Sequence, residues 1–125
     1  MEIIELSNPE LFISLLDLNV GKKNFDLHND YTFKEFNFST IKNEISLIFS
    51  EDISLKEVKI FFTDIIILEL ELPIGVELGI DNFYRGRYEY EDKLYDEFLQ
   101  KKCYYIDLYE NGKINLLAEK LFLVI

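Results

Sequence analysis

The stretch Glu57–Pro73, EVKIFFTDIIILELELP, decides the fold of this chain. Before Thr63 and after Asp64, aliphatic or aromatic side chains recur at every second position, which is the period that is typical of β-strands. No Gly or Pro interrupts positions 58 to 72, and Val, Ile and Phe favour a pleated, half-buried backbone. The stretch therefore predicts two long strands, or one bent strand, at the centre of a sheet.

Two segments before this stretch also have the period of strands. Between Phe25 and Phe38 the aromatic positions change parity near Lys34 and Glu35, which predicts a β-bulge. Apolar side chains occupy alternate positions of Glu44–Ser50. Since a short polar connection separates the two segments, they are predicted to pair as a hairpin.

The end of the chain predicts a second hairpin around Asn111 and Gly112. Both residue types tolerate the positive φ of a tight two-residue turn. The flanking strands carry apolar residues on both faces, so both faces are expected to be covered. Counting outward from the turn gives the expected pairs Glu110 with Lys113, Tyr109 with Ile114, Asp107 with Leu116, and Ile106 with Leu117.

The N-terminal region has the chemistry of a helix start at Ser7-Asn8-Pro9-Glu10. The apolar spacing that follows predicts a short helix from Pro9 to Leu18. The fold class predicted for the chain is α+β, mainly β. Residues 1–125 are expected to form a single domain, with a bent antiparallel sheet or a two-layer sheet of six to eight strands and this short N-terminal helix.

Charge limits the classes of partner. The 125 residues include 24 acids and 13 bases, a net charge of −11, which repels nucleic acid. This charge either attracts a basic protein partner or simply keeps the protein soluble. No apolar run approaches the roughly 20 residues of a membrane-spanning helix, so no membrane association is expected. The single cysteine, Cys103, and the acids among the first ten residues indicate the cytoplasm.

The sequence shows no catalytic motif, metal-ligand set or phosphate-binding loop, so we expect a protein that is not an enzyme and has no cofactor or metal. His28 lies between Asp26 and Asp30, and one histidine with two carboxylates favours a turn over a metal site. Cys103 follows two lysines without a partner histidine nearby in sequence, which favours a half-buried strand cysteine over a reactive thiol.

Two charged pairs have alternative interpretations. Glu69 and Glu71 share one side of their strand, which is typical of a solvated face and also fits the spacing of a glycosidase carboxylate pair. Arg85 and Arg87 are the only arginines. They fit either anion binding or internal ion pairs with the neighbouring Glu89, Glu91 and Asp92, and we favour the ion pairs.

An acidic, tyrosine-rich segment is the strongest candidate for a binding surface. Between Asp64 and Glu97 there are ten acids and three bases, interleaved with tyrosines. Tyrosines supply contact area and acids attract a cationic partner, although the rings could instead pack within the chain. The residues predicted to bind a partner are Glu69, Glu71, Tyr84, Tyr88, Glu89, Tyr90, Glu91, Asp92 and Tyr95.

The order of these segments resembles a group of small bacterial immunity proteins from polymorphic toxin systems. The resemblance covers about residues 25 to 125 and includes Leu27-His28-Asn29-Asp30 and Phe62-Thr63-Asp64-Ile65. In this chain Asn29 separates the histidine and aspartate of the first element. The resemblance implies neutralisation of a cognate toxin in the cytoplasm, without catalysis.

The sequence thus predicts a non-catalytic binding protein whose acidic aromatic surface contacts a basic partner, and the resemblance implies that this partner is a toxin domain. One alternative is a small-ligand-binding domain with an interior pocket and Arg85 and Arg87 as anion anchors. Another is a homodimer formed through an exposed strand edge.

Overall fold

The fold is mainly β. A computed structural model of the chain describes residues 2–73 and 75–125, and it contains no α-helix within these ranges. More strands are present than the six to eight that were predicted, because several are only two to four residues long. The strands are β1 (Ile3–Glu5), β2 (Asp17–Val20), β3 (Lys23–Asp26), β4 (Tyr31–Ser39), β5 (Glu44–Glu51), β6 (Glu57–Thr63), β7 (Ile66–Glu71), β8 (Ile80–Gly86), β9 (Tyr88–Tyr90), β10 (Lys93–Tyr95), β11 (Glu97–Phe98), β12 (Lys101–Leu108), β13 (Lys113–Ala118) and β14 (Lys120–Val124).

Two five-stranded antiparallel sheets make up most of the structure. Sheet A has the order β1-β14-β6-β5-β4. Sheet B has the order β11-β12-β13-β7, and β8 pairs with the same edge of β12 as β11 does, farther along the strand. The pairs β2-β3 and β9-β10 form separate two-stranded sheets.

The stretch Glu57–Pro73 passes from sheet A to sheet B. It bends where the sequence predicts a break, between Thr63 and Ile66, and Asp64 adopts a φ of 49° there. The chain returns from β13 to β14 at the same place, since Lys120 pairs with Thr63 in sheet A. The prediction of a central position holds for β6 and is wrong for β7. In the part of the chain that the structure describes, β7 pairs with β13 alone and forms an edge of sheet B.

One hydrophobic core fills the space between the sheets. Phe62 from sheet A packs against two rings from sheet B, with centroids 5.8 Å from Phe83 and 5.1 Å from Tyr104. These three side chains are almost completely buried. Inward-facing positions of every long strand contribute to this core, so burial of alternate residues stabilises both sheets at once.

The predicted helix at Pro9–Leu18 is wrong. Phe12 has a φ of 63°, and the backbone amides of Phe12 and Leu15 donate to Arg85 and Phe83 in β8 at 2.8 and 2.7 Å. The backbone donors that a helix would use internally are therefore satisfied by the edge of sheet B. The helical spacing failed as a signal because tertiary pairing overrides a weak local propensity.

The parity change in β4 is a bulge, as predicted. Phe33 pairs with Phe49 and Glu35 pairs with Ile48, so Lys34 is the extra residue. The bulge keeps the aromatic residues on both sides of it directed towards the core. The pairing of β4 with β5 confirms the predicted hairpin.

The C-terminal hairpin exists, but its predicted register is wrong. Asp107 pairs with Lys113, and Ile106 with Ile114. Glu110 and Asn111 both have a φ of 63°, while Gly112 has a φ of −77°. The turn therefore spans more residues than the two-residue turn that Asn-Gly suggested, and every residue from Ile114 to Ala118 is buried, as two covered faces require.

Candidate functional site

The outer face of sheet B brings together residues from four strands. Leu116, Tyr104 and Phe83 belong to the core, so the residues that alternate with them face away from it. Strand register arranges these outward residues in three transverse rows. Leu117, Cys103 and Gly86 in the third row are buried, and we call the other two rows the outer face. The first row is Glu69, Asn115, Tyr105 and Tyr84, and the second is Glu71, Lys113, Asp107 and Asn82.

The charges of the outer face are unbalanced. Three carboxylates, those of Glu69, Glu71 and Asp107, share it with one amine, that of Lys113. The Lys113 Nζ lies 3.2 Å from an oxygen of Glu69, and this hydrogen bond raises the pKa of the Lys113 ammonium. Among the described residues no salt bridge joins Glu71 or Asp107 to a cation.

Aromatic rings continue the outer face towards the N-terminal segment. The rings of Tyr84 and Tyr105 stack with centroids 5.5 Å apart, and Phe12 lies 6.3 Å from Tyr84. The Tyr105 hydroxyl donates to the backbone oxygen of Arg87 at 2.6 Å. Gly86 makes this possible, because a Cβ there would lie 2.6 Å from the Tyr105 ring.

Burial and charge both act on Tyr84. Desolvation is the larger cause that raises the pKa of its hydroxyl, and the carboxylate of Asp107 adds to the effect. Desolvation also raises the pKa of Tyr105. Both hydroxyls therefore stay neutral at physiological pH. The Tyr84 hydroxyl can donate a hydrogen bond to a partner, whereas the Tyr105 hydroxyl already donates to Arg87.

The hairpin β9-β10 extends from β8 as a separate unit. Among residues 2–73 and 75–125 its strands pair only with each other, with Tyr88 opposite Tyr95 and Tyr90 opposite Lys93. Phe98 is the centre of a small aromatic cluster, with ring centroids 4.9 Å from Tyr88, 5.1 Å from Tyr90 and 5.3 Å from Tyr95. None of these four rings belongs to the main core.

The tip of this hairpin is acidic. Glu91 and Asp92 form the turn with φ values of 49° and 63°, which suit a primed turn although neither residue is Gly or Asn. Glu89, Glu91 and Asp92 are exposed, and within residues 2–73 and 75–125 they form no salt bridge. In contrast, the next two acids are paired internally, Asp96 with Arg87 and Glu97 with Lys102.

The predicted partner-binding residues thus fall into two neighbouring groups. Glu69, Glu71 and Tyr84 lie on the outer face. The other six lie on the hairpin that follows β8, and they are Tyr88, Glu89, Tyr90, Glu91, Asp92 and Tyr95. The tyrosines of the hairpin do pack on one another, yet Tyr90 keeps 45% of its surface exposed.

The two arginines bind groups of this chain. Arg85 donates to the backbone oxygens of Pro9 and Asp96 at 2.9 and 3.1 Å. Arg87 pairs with the Asp96 carboxylate at 2.8 Å and lies 5.4 Å from the centroid of the Phe12 ring. The favoured internal ion pair therefore exists for Arg87, but its partner is Asp96 and not one of the three acids that were expected.

His28 lies in a turn at one edge of a cleft. The Asn29 amide and side chain hydrogen-bond to Asp26 and lower the pKa of that carboxyl, so Asp26 is engaged with Asn29. His28 Nε2 lies 3.3 Å from the Tyr109 hydroxyl. The cleft has a volume of about 310 Å³ and contains apolar residues, including Phe33 and Phe49, beside these polar groups, and neither arginine lines it.

Cys103 is more buried than expected. It lies on β12 with 1% of its surface exposed, and burial raises the pKa of its thiol. A protonated, inaccessible thiol is a poor nucleophile, which agrees with a structural role.

Sequence reasoning missed Tyr105, Asn115, Phe12 and Phe98. Tyr105 and Asn115 occupy the middle of the first row on the outer face, and Phe98 organises the hairpin cluster. The sequence predicted a strand at Tyr104–Tyr109 but did not predict which of its alternate side chains would face outward. That assignment depends on the register with β8 and β13, which is set by distant residues.

Comparisons of the chain with protein-family models, curated proteins and solved structures found no match. Among the described residues, no group of three or more His, Cys, Asp or Glu side chains is arranged to hold a metal ion. No helix in the described part of the chain has the length and apolar character needed to span a bilayer.

Proposed function

We propose that this protein is a non-catalytic binding protein that occludes a cationic protein partner through the outer face and the β9-β10 hairpin. One observation carries the proposal: three exposed acids, which form no salt bridge within the described residues, lie on a hairpin whose aromatic rings are separate from the main core. Exposed carboxylates of one sign attract a basic surface over a distance of several ångströms and raise the association rate.

The aromatic residues give the second part of the binding mechanism. Tyr84, Tyr90 and Tyr105 present ring surface next to the acids, and the Tyr84 hydroxyl is neutral because burial raises its pKa. Tyrosine is enriched among the residues that dominate binding energy, because its large ring loses little conformational entropy. In this proposal the acids govern encounter and the rings slow dissociation.

The partner that we propose is a bacterial toxin domain, which the protein neutralises by contact in the bacterial cytoplasm. Support comes from the resemblance to small immunity proteins over residues 25 to 125 and from the net charge of −11. An acidic inhibitor suits a toxin with a basic active-site surface, as an enzyme acting on nucleic acid would have.

Growth protection tests this function. The product of the open reading frame next to this gene is expressed in a bacterial host, with and without the protein. We expect growth arrest that the wild-type protein relieves and that the Glu89→Gln, Glu91→Gln, Asp92→Asn variant relieves poorly. A control with the same change in charge, Glu2→Gln, Glu10→Gln, Glu57→Gln, should protect like wild type. Equal protection by both variants would contradict the proposed site.

The cleft beside His28 favours a second candidate function, the binding of a small ligand. Its apolar part is built from Leu27, Phe33, Phe49 and Ile80, and the His28 and Tyr109 side chains supply hydrogen-bonding groups. This composition suits a small molecule with an apolar body and one polar end. Titration with phenol, followed by NMR, should shift the His28 ring signals saturably if the cleft binds ligands, and unchanged signals would exclude this candidate.

A further inference from the structure

The open edges of the two sheets differ in how they are protected. In sheet A, β1 has only three residues, and β4 carries a charged residue, Lys34, as the extra residue of its bulge. In sheet B, the β8 edge is covered by residues 11–15, which hydrogen-bond to it. Within the described residues, β7 shares backbone hydrogen bonds only with β13, so its other edge is unpaired.

The side chains of β7 do not protect this edge. It contains no Pro, Lys or Gly, and its bulged residue is apolar, Leu68. Ile66 and Leu70 expose 39% and 43% of their surfaces, and Leu72, just after the strand, exposes 39%. Native proteins commonly protect long edges with lysines, prolines or covering loops, because an unpaired hydrophobic edge recruits another strand.

The charges beside the edge indicate what kind of strand it recruits. Glu69 and Glu71 lie on the outer face along β7, and one amine, Lys113, pairs with Glu69. Two copies of β7 placed side by side would bring four carboxylates together, and like charges on neighbouring strands are destabilising. A second copy of this chain is therefore disfavoured, and a cationic strand is favoured.

We infer that β7 accepts an extended segment of the partner, in which Lys or Arg alternates with apolar residues, as an added strand of sheet B. The cations of that segment face Glu69 and Glu71, and its apolar residues contact Leu70 and Leu72 on the other face. Main-chain hydrogen bonds supply affinity, and the side-chain alternation supplies specificity. This inference rests on the proposed function, since it assigns a docking mode to the same cationic partner.

Peptides with blocked backbone donors test the inference. The probe is a peptide of about ten residues in which Lys alternates with Val, long enough to cover β7. One derivative is N-methylated at every Val and another at every Lys. An added strand uses the amides of alternate residues only, so one derivative should bind like the parent and the other at least about tenfold more weakly.

Hydrogen exchange and a matched pair of variants locate the binding edge. The parent peptide should slow amide exchange in β7 and leave β4 unchanged. Leu70→Lys should weaken binding at least about tenfold, whereas Phe38→Lys on the β4 edge should not. Phe38 is 45% exposed, close to the 43% of Leu70, so the two variants add the same charge at similarly exposed edge positions. Unfolding in urea verifies that both variants remain folded.

Three results would overturn strand addition. If both methylated peptides bind like the parent and their binding weakens as salt is added, the acids attract the peptides but the β7 edge does not pair with them. If the parent peptide does not bind, or if Phe38→Lys weakens binding as much as Leu70→Lys, the inference is wrong. Growth protection by the wild-type protein is measured without the peptides, so it tests the proposed function independently of strand addition.

Discussion

The ring of Tyr84 stacks on that of Tyr105 across neighbouring strands, with centroids 5.5 Å apart and planes inclined by 22°. The pair lies in the same transverse row as Glu69, so aromatic and acidic groups share one face of sheet B. The Tyr105 hydroxyl also donates to the backbone of Arg87, immediately before the acidic hairpin. This contact fixes the start of the hairpin relative to the outer face.

Tyr105→Phe should lower the free energy of unfolding by about 0.5–1.5 kcal/mol, because it removes the hydrogen bond to the Arg87 carbonyl and keeps the ring. Urea denaturation measures the change. Tyr90→Phe, at an exposed hydroxyl on the hairpin, serves as the control and should alter stability by no more than about 0.5 kcal/mol. Equal effects of the two substitutions would show that the Tyr105 hydroxyl does not stabilise the fold.

Phe98→Ala should loosen the hairpin more than the sheets. Phe98 contacts the rings of Tyr88, Tyr90 and Tyr95, and none of the four belongs to the main core. Amide exchange in Tyr88–Tyr95 should accelerate at least about tenfold, while exchange in β6 changes little. Phe38→Ala is the control, and faster exchange across the whole chain in Phe98→Ala would mean that the cluster supports the global fold instead.

Gly112→Ala should destabilise the protein by about 1–3 kcal/mol, because the new methyl group overpacks a crowded turn. Its Cβ would lie 2.6 Å from Cδ of Pro73 and 3.0 Å from the Glu71 backbone oxygen. Thermal unfolding monitored by circular dichroism measures the loss. Gly21→Asn is the matched control, since Gly21 has open space and a φ of 61°, which Asn tolerates. A neutral Gly112→Ala would refute this packing.

Stability should fall at acid pH because of Asp64. Its carboxylate lies 2.6 Å from Lys101 Nζ, and this hydrogen bond lowers the pKa of Asp64 below the ordinary value of 3.8. A carboxyl with a lowered folded pKa stabilises the fold above its unfolded pKa, and the stabilisation is lost as pH falls through the folded value.

Urea unfolding across pH 6 to pH 3 tests this linkage, because the predicted loss begins near pH 4 and continues below it. Asp64→Asn should be less stable than wild type at pH 6 and should show a smaller decrease on acidification. Asp26→Asn is a useful comparison, since hydrogen bonds from Asn29 also lower the pKa of Asp26. A pH dependence in Asp64→Asn as steep as in wild type would contradict the assignment.

Local patterns in the sequence predicted those parts of the fold that depend on neighbouring residues. The change of parity around Lys34 correctly indicated a bulge, and Thr63-Asp64 correctly marked the bend. Both are visible because side chains alternate along a strand, so an extra residue or a break disturbs the alternation.

The predictions that failed concern features that depend on contacts between residues far apart in sequence. Residues near Phe12 look helical, but β8 supplies their hydrogen-bond acceptors. The last hairpin has a longer turn than Asn-Gly implies. Pro73 and the Glu71 backbone leave no room for a side chain at Gly112. Likewise, Glu69 and Tyr84 could each be identified as candidate binding residues, but only strand order places them in one row.

The dependence of association rate on salt tests the central claim most directly. The rate constant for binding the neighbouring gene's product is measured by stopped flow between about 50 and 500 mM NaCl, a range that shortens the Debye length severalfold. The Glu89→Gln, Glu91→Gln, Asp92→Asn variant is compared with wild type. We predict a wild-type rate that falls at least about tenfold over this range, and a variant that is slower at low salt and less dependent on salt. A wild-type rate that does not change with ionic strength would contradict the claim that the acids of the hairpin draw in a cationic partner.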